Sequence, residues 1–136
     1  MKAFALDTSA LIAILNAEPE TEAFKTILQD AEHVAVSAAT LHEARCVTSS
    51  TRFRDGHARL ETLLSGLPLE VVSFDEGQLE AASAAYRLFG RGSGHAAHLN
   101  MGDCFSYALA KTRGLPLLFK GDDFARTDIQ PAFFPT

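Results

Sequence analysis

Four short apolar runs recur along the chain, and segments with helical spacing lie between them. Lys2–Leu6, His33–Val36, Leu69–Phe74 and Pro116–Phe119 each read as a buried strand. Thr8 and Ser9 open a first helix over Ala10–Leu15, and Pro19 opens a second over Glu20–Asp30. Helices follow over Ala38–Ser50 and over Arg54–Ser65, the latter closed by Gly66. "DEGQLEAASAAYRLFG" begins with an acidic cap at Asp75 and stops at Gly90. A last helix, Asp103–Arg113, has Lys111 and Arg113 in its final turn and Gly114 after it. Only Arg91–Asn100 lacks both periods, so it reads as a loop. Strands alternating with helices predict a parallel sheet with right-handed crossovers. The expected fold is a three-layer α/β/α sandwich on a mostly parallel sheet of four to five strands, one domain over residues 1–136.

Composition agrees. The 136 residues are 47% hydrophobic and 21% charged, as in an ordinary globular domain. The net charge of −5 does not announce a nucleic-acid binder, because phosphate neutralisation calls for excess basic charge. A carboxylate cluster masked by a metal keeps that option open. Cys46 and Cys104 stand far apart and outside any CxxC pair, which points to a reducing, cytoplasmic setting. Asp7 interrupts the N-terminal apolar run, so a signal peptide is rejected, and no window is long enough to span a membrane.

The placement of acids is the chemically informative feature. In a parallel sheet, ligands gather at the C-terminal ends of the strands. Asp7 ends the first strand, and Asp122 and Asp123 follow the last. Asp103 opens an apolar helix, and Glu43 sits within another among Leu41, Ala44 and Val47. Taken singly, helix capping is the simpler account of each aspartate. Glu43, in mid-helix, has no such role. Gathered at one edge, the acids would repel one another unless a divalent cation sat among them, and hard oxygen donors suit Mg²⁺ or Mn²⁺.

Four segments carry a family pattern: "LDTSALIAILNAEPE", "SAATLHEA", "LNMGDCFSYALAK" and "GLPLLFKGDDFARTDI". In that order, and spread over the whole chain, they resemble the PIN-domain ribonucleases, specifically the VapC toxins of toxin–antitoxin pairs. The resemblance implies a Mg²⁺-dependent endoribonuclease that hydrolyses RNA, tRNA or rRNA, with Mn²⁺ able to substitute. It implies a metal-binding and catalytic set of Asp7, Glu43 and Asp103 with a fourth acid after the last strand. The commoner family form has an acid where this chain has Gly121; the resemblance favours Asp123, which keeps its place next to Phe124, as the fourth acid, with Asp122 as its alternative. Thr8 and Ser9 are expected to add hydroxyl contacts. The resemblance further implies a VapB-type antitoxin partner, a homodimer and a toxin–antitoxin hetero-oligomer.

RNA needs some positive surface, and Arg45 and Lys120 are the candidate substrate-binding cations. Arg52, Arg54, Arg59, Lys111 and Arg113 are read equally well as a solvated face. His95 and His98 have HxxH spacing but no third ligand nearby, and His42 points away from the Glu43 face. Leu11, Leu15, Phe24 and Leu28 supply apolar surface for core or for contact. Two rivals remain. A receiver domain would use Lys120 but needs an aspartate ending a middle strand, where this chain has "VAVS" and "VVSF". A haloacid-dehalogenase phosphatase needs DxD where this chain has Ser9. A catalytically silent module of the same fold is set against the intact acidic set.

Overall fold

A computed structural model describes residues 2–134. Strands β1 (Ala3–Leu6), β2 (His33–Ser37), β3 (Leu69–Val72) and β4 (Leu117–Leu118) form one sheet in the order β3-β2-β1-β4. Every pairing is parallel, with Ala5 opposite Ala35 and Leu6 opposite Leu118. After β4 the tail turns back along the same strand. Ala132 donates to the Leu117 carbonyl and Leu117 to that of Gln130, giving an irregular edge in place of a regular fifth strand.

The strands' period of two sorts the core into two layers. Phe4, Leu6, Val34, Val36 and Leu118 face helices α1 (Thr8–Leu15), α2 (Thr21–Asp30), α3 (Ala38–Thr48) and α4 (Gly56–Ser65). Ala5, Ala35 and Leu117 face α5 (Glu76–Phe89) and α6 (Met101–Arg113). The small side chains on this second face let α6 lie close against the sheet, with Ala108 and Ala110 buried there. Leu11, Leu15, Phe24 and Leu28 are all buried in the first layer, so they are core. Each fully buried leucine contributes about 1.5–3 kcal/mol.

The helix boundaries that differ from the sequence reading do so for local reasons. α1 begins at Thr8 because Asp7 caps it, and α6 begins at Met101 because Asn100 caps it. α2 begins past Pro19 at Thr21, whose hydroxyl donates to the Ala13 carbonyl. α4 begins at Gly56 because Asp55 takes a left-handed conformation, φ 52°. The Arg91–Asn100 loop is anchored at both ends, Leu99 donating to the Phe89 carbonyl and Arg91 to that of Leu99.

The strand order positions the site. From β1 the chain moves outward to β2 and β3, then crosses back to place β4 on the other side of β1. Such a reversal leaves a crevice beyond the C-terminal ends of the two strands that flank it. Asp7 leaves β1 there, and the Lys120–Asp123 segment leaves β4 there.

Candidate active site

Asp7 follows β1 in extended conformation, its backbone N–H donating to the Leu118 carbonyl at 3.0 Å. Its side chain is 3% exposed, which for a carboxylate demands partners. Oδ2 accepts from the Ser9 backbone N–H at 3.0 Å, capping α1, and Oδ1 accepts from the Ser106 hydroxyl at 2.5 Å. Burial pushes the Asp7 pKa up, and the bonds from Ser106 and Ser9 pull against it. The cap therefore explains one oxygen of Asp7. The other oxygen is held from α6, far along the chain.

Glu43 lies on α3 facing the same crevice. Its Oε1 accepts from the Thr8 hydroxyl at 2.7 Å. Its other oxygen rests on the first turn of α6, where only a glycine leaves room. A Cβ on Gly102 would lie 1.9 Å from Oε2. Burial raises the Glu43 pKa, and the Asp7 charge raises it further. Asp103 is the third residue of α6 and completes a capping box. Its Oδ2 accepts from the Asn100 N–H at 2.9 Å while its own N–H donates to Asn100 Oδ1 at 2.8 Å. Burial drives the Asp103 pKa up from 3.8 to about 6, with added repulsion from Asp7, Asp123 and Glu43.

Asp123 opens the short 3-10 turn Phe124–Arg126, and its charge is felt at Asp103. Asp122 instead lines an apolar hollow with Glu20, Phe24 and Phe133. Between them and Lys120, Gly121 has φ 106°, a region that L side chains rarely enter. An acid at 121 would be strained on this backbone, which accounts for the charge lying further along, at 122 and 123.

Asp7, Glu43 and Asp103 line one open cleft of about 460 Å³ with Thr8, Ser9, Glu18, Arg52, Asn100 and Lys120. Among the described residues, no cation forms an ion pair with Asp7, Glu43, Asp103 or Asp123. Nor are three Asp, Glu, His or Cys side chains closed up into a ready ligand group. The acids are held by their own hydrogen bonds and repel one another. Such a set is stabilised by a hard divalent cation, and its donors are all oxygen, which fits one.

The remaining sequence candidates separate. The Thr8 hydroxyl is spent on Glu43, and Ser9 Oγ accepts the Lys120 backbone N–H at 3.0 Å, tying the β4 exit to α1. Lys120 lines the cleft, but its ammonium is held by Glu18 and Glu20. Arg45 lies outside the cleft-lining set, exposed and paired with Glu61 at 3.2 Å. His95 accepts from the Ala97 N–H through Nδ1 and packs edge-on against Phe89, a loop-shaping role. Sequence reasoning missed Ser106, Thr40, Asn100 and Gly102, and left Arg52 open between an RNA-facing role and a solvated face. The Asn100–Asp103 capping spacing was legible, and Ser106 lies one turn beyond Asp103 on the same face. Nothing in the sequence marked Thr40, whose hydroxyl lies 3.2 Å from that of Ser106.

Ser106→Ala is expected to lower stability by about 1–3 kcal/mol at pH 7.5, since a buried carboxylate oxygen and the Thr40 hydroxyl both lose a partner. Urea denaturation measures it. An unchanged midpoint would mean that the Ser106–Asp7 bond contributes nothing.

The PIN domain family model matches residues 4–130. The chain belongs to the PIN domain family. Ribonuclease VapC42 of Mycobacterium tuberculosis is 44% identical over 128 residues, covering 93% of this chain and 97% of its own length. This PIN domain therefore falls in the VapC branch. Among solved structures it is similar to VapBC-5 of Mycobacterium tuberculosis, from a family of toxin–antitoxin systems. That match has a TM-score of 0.64 and 26% identity over 97% of this chain and 100% of the other. The PIN fold is also matched by Mycobacterium tuberculosis VapC20, a toxin that cleaves the sarcin–ricin loop. That match has a TM-score of 0.72 and 15% identity over 93% and 95% of the two chains.

Proposed function

We propose that this PIN domain is the toxin of a toxin–antitoxin pair and acts as a metal-dependent endoribonuclease on RNA phosphodiester bonds. One observation carries the reading. Asp7, Glu43 and Asp103, from three distant segments, face one cleft at the sheet's switch point, the charge of Asp123 is felt at Asp103, and none of these four acids is neutralised by a protein cation among the described residues. The ribonuclease names of relatives such as VapC42 support the same chemistry.

Asp7 and Asp103 are the ligands for Mg²⁺, or Mn²⁺ in its place, with Glu43 and Asp123 completing the set. Held by these residues, the ion would supply positive charge at the scissile phosphate and lower the pKa of the attacking water. The chain's own residues prepare for this. Ser106 and the Ser9 N–H fix both Asp7 oxygens, Thr8 fixes one Glu43 oxygen, and Asn100 fixes Asp103. The substrate is a structured RNA such as tRNA or rRNA.

The partner is a VapB-type antitoxin, supported by the toxin–antitoxin context of VapBC-5. A basic antitoxin side chain would find the carboxylates electrostatically complementary. A homodimer has an apolar face available, since Leu79, Tyr86 and Met101 are exposed along α5 and α6. No helix among the described residues is long and apolar enough to cross a membrane, and we place the working protein in the cytoplasm.

The test is incubation of the antitoxin-free chain with tRNA and rRNA fragments in Mg²⁺, Mn²⁺ or EDTA. Cleavage that requires the metal is the expected result. Cleavage that persists in EDTA would overturn the mechanism. Absence of both cleavage and Mn²⁺ binding would return the acids to helix capping.

A further inference from the structure

Two cations line the carboxylate cleft, and their surroundings differ. Lys120 is engaged by both Glu18 and Glu20, and its backbone N–H is fixed on Ser9. Its charge is already neutralised, so it serves to tether the β4 exit. Arg52 has no ion-pair partner among the described residues. It is exposed at the cleft rim, and its guanidinium carbon stands 4.7 Å from the centroid of the buried Phe53 ring. That stacking orients the planar group at little further entropic cost and leaves its N–H fork unspent. Two other arginines of this region are occupied, and Arg54 lies outside the cleft-lining set. Arg45 pairs with Glu61, and Arg59 donates to the Leu15 and Arg54 carbonyls.

We infer that Arg52 seats a backbone phosphate of the RNA at the cleft rim, and that Lys120 and Arg45 do not. The inference rests on the ribonuclease reading above. An RNA strand approaching an acidic floor needs a cation beside it, and a bidentate guanidinium is the group suited to a phosphate. Glu18, whose charge lies within the field of Arg52, is the neighbour that the phosphate must outcompete.

The test is fluorescence anisotropy with short fluorescein-labelled single-stranded RNAs of two unrelated sequences, in Ca²⁺ so that binding is read apart from turnover. Arg52→Gln is expected to weaken binding about tenfold at low salt, equally for both sequences. It should also make the dependence of log K on log salt shallower by about 0.7. Arg52→Lys should recover part of the affinity, because it keeps the charge and loses the fork. Arg45→Gln should bind as the parent does. Circular dichroism of each variant separates a binding loss from unfolding, and the lysine variant reports even if the glutamine variant folds poorly. A parent that binds and cleaves RNA alongside an unaffected Arg52→Gln would overturn this inference alone. A parent that neither binds nor cleaves any RNA would overturn the ribonuclease reading and this inference with it.

Discussion

Asp103→Asn is expected to abolish RNA cleavage, by about three orders of magnitude or more, and at the same time to make the metal-free protein more stable at pH 7.5. The first effect follows from removing a charged ligand. Metal-borne charge stabilisation is worth several kcal/mol in such a reaction, and each 1.36 kcal/mol is tenfold in rate. The second follows from the raised pKa. A carboxyl shifted from 3.8 to about 6 favours the folded state when protonated. Its contribution is fully present below pH 3.8 and is lost as pH rises through 6. At pH 7.5 the native Asp103 is therefore a liability on the order of 3 kcal/mol, reduced to about 1–2 kcal/mol because it is partly exposed. Asparagine removes that liability while its side-chain oxygen still accepts from the Asn100 N–H. The lost attraction to the helix dipole, about 0.3–1 kcal/mol, opposes the gain without cancelling it. A rise in melting temperature of about 2–5 °C in EDTA at pH 7.5, vanishing at pH 3.5, is the expected signature. Mn²⁺ should raise the melting temperature of the parent and not of the variant. A variant less stable than the parent at pH 7.5 would mean that Asp103 serves chiefly as a helix cap.

Gly102→Ala is expected to cut kcat/KM about a hundredfold with almost no change in stability. The new Cβ would stand 1.9 Å from Glu43 Oε2 and 2.6 Å from its Cδ, closer than real contacts allow. The obstructed atoms are the far end of a flexible side chain, so Glu43 swings away and the backbone stays. That movement gives up the 2.7 Å bond from Thr8, about 1 kcal/mol, and alanine's better helix propensity returns a similar amount. What changes is the position of a carboxylate, and a misplacement near 1 Å can reduce rate about a hundredfold. Glu43→Asp supplies the control, since a carboxylate one methylene shorter clears the new methyl group. The double variant should be more active than the two single effects multiplied together, a coupling read from the four kcat/KM values. Full activity in Gly102→Ala, or strictly multiplicative effects, would remove Gly102 from the site's construction.

Much of the fold was legible because its signals are local. Asp75 and Gly90 bound α5 as their types dictate, and β1, β2 and β3 were found from runs of a few apolar residues. Two of the shifted boundaries, those of α1 and α6, lie where a side chain outside the apolar pattern, Asp7 or Asn100, caps the helix. The acids of the cleft were legible as a list. Asp7, Glu43 and Asp103 sit on elements that a parallel sheet must bring together, and the family resemblance named the same three.

The alternation of strands and helices, the two-sided core that such alternation implies and the identity of the acids are readable in the chain alone. These depend on the chemistry of residues near one another in the chain. How each acid is held, and which cations are already engaged, depends on contacts made only in the folded molecule. Ser106 reaches Asp7 from α6, Gly102 opens a space for a side chain on α3, Lys120 is taken by Glu18 and Glu20, and Arg52 at the rim has no ion-pair partner among the described residues. Each is a contact between segments remote in sequence. Hydrogen bonds and ion pairs act over only a few ångströms, so no local pattern records them until the sheet has closed.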